Sequence, residues 1–506
     1  MKLSKTNYLV YRDCAHNAWV KVHKPEVYHA EPLSVFEQAI IEIGNDVDVR
    51  ARELFPGGVL IRRGDAVGTA QLVDARTPIL YQPVFETGRY TTACDILVWN
   101  DALAAYDLYE VKASTSGEGR SKAKDDLYAH DIAFQALVLR ENGVPLGRLN
   151  LVRLDSSYVS DGTLDLDRLF TREDFTDRVA PLLDAVAVEM DAAHDLLQLP
   201  ALPSAPCVCI YKGRSSQCTT FGYINPNVPA YSVHDLTRIG QSPKKLRALV
   251  DSGVLAIEDV PESAELTDNQ RNQVNAAKRR RPFVEIAPLA AFLDDIRYPA
   301  AFLDYETYPC ALPRFAGYGP FNHVPFQFSL HVVERPGGEA IHREFLFTET
   351  TCPDEPFVAA LKASLPAEGS IVVWNKPFEK GINAKLAERL PAEESYLAGV
   401  NERVVDLMDV FTAQMVVHPA FRGKTSIKWV LPALVPSLSY KTLAIREGAT
   451  ASETWNAIVT GELELDEARA ARDNLLAYCG LDSLAMVEIW RALLGIAAAR
   501  EYREAG

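Results

Sequence analysis

An α/β chain of two domains joined by a small helical connector is what the sequence predicts, on three observations. At 506 residues the chain exceeds what a single core holds, so more than one domain is expected. Each half carries an apolar strand that runs into paired charged residues, CDILVWNDALAAYDLYEVKAS from Cys94 and AFLDYETY from Ala301. Between them lies a stretch of apolar positions at helical spacing, broken by Gly240 and Gly253 and followed by a basic run. The boundaries expected are 1–225, 226–298 and 299–506.

Composition narrows the class. With 48% apolar and 24% charged residues the chain resembles an ordinary globular protein, and disorder is not expected to dominate. The start, MKLSKTNYLVYRD, lacks a signal-peptide core, and no apolar run is long enough to span a bilayer. A cytoplasmic location without membrane association is therefore expected. A net charge of −16 argues against a general nucleic-acid coat, although carboxylates that bind cations would contribute to it. No Walker-type glycine loop and no histidine pair at zinc spacing occur, so ATP hydrolysis is not expected of this polypeptide.

In the first domain, Asp95 precedes Ile96-Leu97-Val98, and a second strand ends in Glu110-Val111-Lys112. Alternate strand residues share a face, so Glu110 and Lys112 point together. Two carboxylates and an amine at one spot suit phosphodiester cleavage, since carboxylates hold a divalent cation and a lysine stabilises the developing charge. A solvated strand edge is the bland alternative for a bare E-x-K. Upstream, SVFEQAIIEIGNDVDVRAREL is helical from Ser34 to Leu54 and stops at Phe55-Pro56-Gly57-Gly58. Strands are expected over Gly58–Ile61 and Ile79–Glu86, with Glu86 directed either to the site or to solvent. After Lys112, ASTSGEG has the composition of a loop at the site mouth. The following helix places Asp131 and Gln135 one turn apart.

These features resemble the PD-(D/E)XK nucleases, specifically their RecB-like branch, with Asp95, Glu110 and Lys112 on the family's catalytic positions. The resemblance implies that Asp95 and Glu110 bind Mg²⁺ or Mn²⁺ and that Gln135 supports Lys112 and the substrate. It also implies a further ligand, a histidine or an acid, on the Ser34–Leu54 helix, which has no histidine and where Glu42, Asp46 or Asp48 could stand in. The family's proline before the aspartate is Cys94 here, and its tyrosine after the glutamine is Leu139.

Eight cysteines in a chain expected to be cytoplasmic suggest metal or core roles rather than disulfides. Cys207, Cys209 and Cys218 form C-x-C-x8-C, and Cys14 stands far upstream. Four thiolates of this kind would staple the domain's ends through zinc or an iron–sulfur cluster. The resemblance extends to CRISPR-associated and AddB-type exonucleases, which implies a [4Fe–4S] cluster, although their trailing spacing differs. Cys94, Cys310, Cys352 and Cys479 have no spacing partners and are expected to be core or surface residues.

The connector, from Tyr231 to Ile257, reads as a plain helical linker, and its short helices around glycine turns also resemble helix-hairpin-helix modules that grip nucleic-acid backbone. Lys278, Arg279, Arg280 and Arg281 would track phosphates or simply end an exposed helix. In the last domain Asp304 and Glu306 share a strand face, where two acids repel unless cations separate them. SIVVWNKPF runs into Asn375 and Glu379, and the terminal helix puts Tyr478 and Asp482 one turn apart. Together these resemble the DEDDy 3′-to-5′ exonucleases on an RNase H-like fold. The resemblance implies that Asp304, Glu306 and Asp482 hold two Mg²⁺ or Mn²⁺ ions and that Tyr478 orients water. Glu379 replaces the family's aspartate. Asp406 and the Lys428 segment are further landmarks, and the whole resembles a bacterial domain-of-unknown-function family. The function expected is a metal-dependent exonuclease acting on DNA, in repair or defence. Nucleic acid and a helicase are the expected partners. RNA processing, or a binding protein with one degenerate domain, is the alternative.

Overall fold

The computed structural model describes residues 1–117 and 121–499. The chain is a mixed α/β protein of two compact units. The first comprises Met1–Ile210, Gln217–Pro226 and Cys310–Asn322, and the second Tyr211–Ser216, Asn227–Pro309 and His323–Gly506. None of the described helices is long and apolar enough to cross a membrane.

The first unit is built on a six-stranded sheet. Its order is Val59–Leu60, Ile79–Tyr81, Ile96–Asn100, Ala105–Thr115, Leu146–Leu154 and Phe170–Asp174. Ile96–Asn100 and Ala105–Thr115 form an antiparallel pair with Ile96 opposite Tyr109 and Asn100 opposite Ala105. One step further along that register brings Asp95 across from Glu110. Ala105–Thr115 then pairs in parallel with Leu146–Leu154, which requires a crossover, supplied by the helix Lys122–Glu141. That helix buries Ile132, Phe134, Ala136, Val138 and Leu139 in the core. Each of these side chains other than Ala136 contributes about 1.5–3 kcal/mol on burial.

Two expectations shift here. Ile79–Glu86 is not one strand: it breaks into Ile79–Tyr81 and Val84–Glu86, which join different sheets. Gln82 between them has φ 53°, a left-handed conformation outside any strand, and Pro83 follows. The strand bearing Glu110 also continues to Thr115, so Ala113–Thr115 are strand rather than loop. The remainder of the expected loop includes residues 118–120, outside the described residues.

The helix expected at Ser34 spans Val35–Arg52, with Ser34 and Glu37 forming a reciprocal capping box. Val47 and Ala51 are its buried anchors, packed with Phe55, Ile96, Val111 and Val152.

The second unit has a five-stranded sheet in the order Ala340–Leu346, Asn322–Val333, Ala300–Cys310, Ile371–Val373, Val404–Asp406. The strand of Asp304 and Glu306 is therefore central. Its pairing with Ile371–Val373 is parallel, as is the next, and helices Lys376–Arg389 and Glu394–Glu402 serve the crossover. One core cluster joins Ala301, Leu303 and Tyr305 to Phe357, Leu361 and Leu386. Another joins Phe302 to Val487, Ile489 and Trp490 of the 34-residue helix Leu465–Ala498. The helices Pro243–Asp251 and Asp268–Arg279, from the stretch between the two acidic motifs, belong to this unit.

Candidate functional site

In the first unit Asp95, Glu110, Lys112 and Gln135 converge. The Lys112 ammonium donates to Glu110 Oε1 at 2.6 Å and to Asp131 Oδ2 at 2.7 Å. The Gln135 amide donates to Glu110 Oε2 at 2.7 Å and Asp131 Oδ1 at 3.0 Å. Asp95 Oδ2 accepts from the Val111 backbone N–H at 2.7 Å. The helix Lys122–Glu141 thus delivers Asp131 and Gln135 from one face onto the end of the strand Ala105–Thr115.

Sequence reasoning missed two contributors. Lys5, at the start of the helix Lys5–Asp13, reaches Glu110 at 3.0 Å and Asp131 at 3.4 Å. Gln82 turns its amide between Asp95 and Asp48, 3.3 Å from each carboxylate. The break that ends the strand at Tyr81 is what frees Gln82 to do this. The Pro83 that follows was its sole sequence signal. Of the three acids considered on the Val35–Arg52 helix, Asp48 enters the site. Glu42 and Asp46 are exposed, with Glu42 paired to Gln38. Glu86 is exposed too and pairs with Lys2 at 2.5 Å, so it faces solvent.

The electrostatics separate the two carboxylates. Burial, then repulsion from Glu110, raises Asp95 to about 7, against the pull of Lys5 and Lys112. Burial also opposes ionisation of Glu110, but Lys112 and Lys5 outweigh it and hold that carboxyl below the ordinary range. Lys5 and Lys112 lose solvation on burial, yet attraction to Glu110 and Asp131 raises both ammonium groups above theirs.

The three cysteines of C-x-C-x8-C and the distant Cys14 meet. The sulfurs of Cys14, Cys207, Cys209 and Cys218 lie within 4.8 Å of one another, all buried, with Cys14 to Cys207 at 3.3 Å and Cys207 to Cys218 at 4.0 Å. Four soft donors around one centre, with no disulfide among them, can hold a zinc ion or an iron–sulfur cluster. Neighbouring contacts fasten the same ends of the unit: Asn17 Oδ1 accepts from the Thr220 N–H and hydroxyl at 3.2 and 2.8 Å.

In the second unit Asp304, Glu306 and Cys479 have ligand atoms within 4.8 Å of one another. Cys479, expected to be a plain core or surface residue, sits 3.6 Å from Asp304 Oδ2. Asp482 lies one turn further along its helix and accepts from Tyr440 at 2.5 Å and from Tyr478. Burial followed by repulsion from Asp482, Glu306 and Glu379 lifts Asp304 well above the carboxylate range. Burial, then Asp482, does the same to Glu306, with Lys428 opposing. Asp482 itself is raised by burial to about 6, against Tyr440, Lys428 and Tyr478.

Glu379 enters from the first turn of Lys376–Arg389. It is 2% exposed, its Oε2 is buried with no hydrogen-bond partner, and burial raises its carboxyl to about 8. Its carboxylate is one of three that repel Asp304, after Asp482 and Glu306. Asp406 explains its own landmark status: it accepts from the N–H groups of Asn375, Lys376 and Met408 at 3.0, 2.8 and 3.0 Å. It caps the helix that carries Glu379, with Asn375 as N-cap at φ 87°. Tyr440, in SLSYKT, carried no sequence signal. Lys278, Arg279, Arg280 and Arg281 are exposed, and neither site takes them in.

No match to a curated protein was found for the chain. Residues 301–426 match the family model described as a domain of unknown function, DUF2779, a span that takes in Asp304, Glu306, Glu379 and Asp406.

Proposed function

We propose that the chain is a metal-dependent nuclease that hydrolyses phosphodiester bonds of DNA, with one catalytic centre in each unit. The observation that carries this is the meeting of Asp304, Glu306, Glu379 and Asp482, from three separate segments, with Glu379 left an unpartnered oxygen. Repulsion from Asp482, Glu306 and Glu379 raises Asp304, and Asp482 raises Glu306; a divalent cation would relieve that repulsion. Mg²⁺ or Mn²⁺, when bound, would supply charge neutralisation and a more acidic water.

The chain's own groups take the remaining roles. Asp304, Glu306, Glu379 and Asp482 hold the cation, Tyr478 and Tyr440 fix the Asp482 carboxylate, and Lys428 faces Glu306 and Asp482 with positive charge. In the first unit Asp95, Glu110 and Asp48 are the cation donors. Lys112, held by Asp131 and Glu110, is placed to stabilise negative charge on phosphate. Gln135 fixes Glu110 and Asp131. This geometry supports the RecB-like assignment of the first unit and the DEDD-type assignment of the second. The cysteine site, holding zinc or a [4Fe–4S] cluster, is structural.

End-labelled DNA and RNA strands of matched sequence, digested with Mg²⁺ or Mn²⁺, test this. DNA shortening that stops with chelator is expected, with Asp304→Asn and Lys112→Ala each abolishing a different part of the product pattern. A preference for RNA would redirect the assignment to RNA processing. No cleavage of either strand would refute it.

A further inference from the structure

Away from the carboxylates, the second unit holds a cavity of about 620 Å³ with an unusual lining. A volume of this size falls in the range of roughly 300–1,000 Å³ that small-molecule sites occupy. Its walls come from four segments: 213–215, 234–240, residues 269 and 273 of the helix Asp268–Arg279, and parts of 411–425. In a chain of net charge −16, Arg214, Arg238, Arg422 and Lys424 all line it against a single acid, Asp235.

Arg214 is committed to that acid, donating to both Asp235 oxygens at 2.8 and 2.7 Å. The other three cations are therefore in excess. Arg422 and Lys424 both lie against the Trp429 ring, 5.7 and 4.3 Å from its centroid.

The cavity is braced. Gln273, 2% exposed, donates to Tyr231 Oη at 3.0 Å and to the Asp235 carbonyl at 2.9 Å, and accepts from the Thr237 N–H at 2.9 Å. Gly423 has φ 73°, and a Cβ there would come within 2.5 Å of the Asp235 carbonyl and the Gln273 amide. Three non-glycine lining residues hold left-handed backbone: Arg238 at φ 55°, Gln414 at 63° and Arg422 at 49°. Strain of this kind gathers at ligand sites.

Gln414 is the independent pointer to a ligand. It lines the cavity, is 9% exposed, and its Oε1 is buried with no hydrogen-bond partner. An acceptor without a donor beside an excess of cations calls for a ligand that carries both an anion and an N–H group. We infer that this cavity binds a nucleotide, its phosphate met by Arg238, Arg422 and Lys424 and an exocyclic amino group of its base donating to Gln414. The nucleotide is either free or the exposed end of a strand. The site uses none of the carboxylate residues and stands whether or not they catalyse.

The test is equilibrium binding of adenosine 5′-monophosphate, uridine 5′-monophosphate and a short oligo-deoxyadenylate to the full chain, with chelator present to silence cleavage. Saturable binding that favours the adenine ligands over uridine 5′-monophosphate is expected, because uracil offers only a ring N3–H and no exocyclic amino group to reach Gln414. Arg238→Asn with Arg422→Asn removes both charges while keeping a residue type that tolerates left-handed backbone, and should weaken binding about tenfold or more. Gln414→Leu should remove the adenine preference and leave uridine 5′-monophosphate binding unchanged. Binding of the mononucleotide identifies a free ligand, and binding of the oligonucleotide alone identifies a strand end. Thermal melting checks that each variant is folded. Asp304→Asn should leave all of this binding intact, separating it from hydrolysis. Binding of neither ligand, or binding that the folded arginine variant does not change, would overturn the inference.

Discussion

Glu379 concentrates the conflict between stability and function in one side chain. A buried carboxyl with an unpartnered oxygen destabilises the metal-free fold, and its raised pKa fixes how that cost varies with pH. The unfolded carboxyl ionises near the ordinary glutamate value of about 4.3. In the folded chain it stays protonated up to about 8. Between these values the folded state binds more protons, so stability falls as pH rises through that window. Metal-free protein should therefore melt lower at pH 8 than at pH 6, and Mn²⁺ should remove much of the difference. Glu379→Gln should flatten the pH dependence and raise the melting temperature without metal, while cleavage by the second unit drops about 10- to 100-fold as for loss of a metal-site group. A variant that melts lower at pH 8 than the parent would contradict the placement of this carboxyl. Lys112→Met should cost about 10²–10⁴-fold in cleavage by the first unit, the range for a positioned catalytic group.

At the scale of elements, two devices hold the sites in shape. The first is the cap on the helix Lys376–Arg389, where Asp406 satisfies the backbone N–H groups of Asn375 and Lys376, and also that of Met408 in its own segment. Asp406→Ala should lower stability by about 0.5–2 kcal/mol, the value of a lost cap, and reduce second-unit activity by releasing Glu379. Chemical denaturation and strand cleavage measure the two effects. The second is the four-cysteine cluster, which ties the helix Lys5–Asp13 end to residues 207–218. Metal affinity at such a site is folding free energy, so Cys218→Ser should destabilise the first unit strongly and release metal. Absorbance near the visible iron–sulfur band, or stoichiometric zinc, identifies the occupant.

For the whole molecule, the elements that are strongly patterned were legible in the sequence. The capped helix after Ser34, the paired strands around Asp95 and Glu110, and the acidic central strand at Asp304 followed from periodicity. The grouping of Cys14 with Cys207, Cys209 and Cys218 followed from spacing. What escaped depended on backbone conformation or on contacts between distant segments. Gln82 reaches Asp95 through a left-handed residue between two strands, which no periodicity marks. Lys5 and Tyr440 enter from short elements whose local pattern says nothing of what they meet. Cys479 has no spacing partner in sequence, and its neighbours in space, Asp304 and Glu306, stand on another element.

Both units gather buried acids at one spot, and cation binding by them is open to direct measurement. Calorimetric titration of Mn²⁺ into metal-free full-length protein should show saturable binding, with one part removed by Asp304→Asn and a different part by Asp95→Asn. Failure of Mn²⁺ to bind, or binding that both folded variants retain in full, would contradict the assignment of these clusters as cation sites.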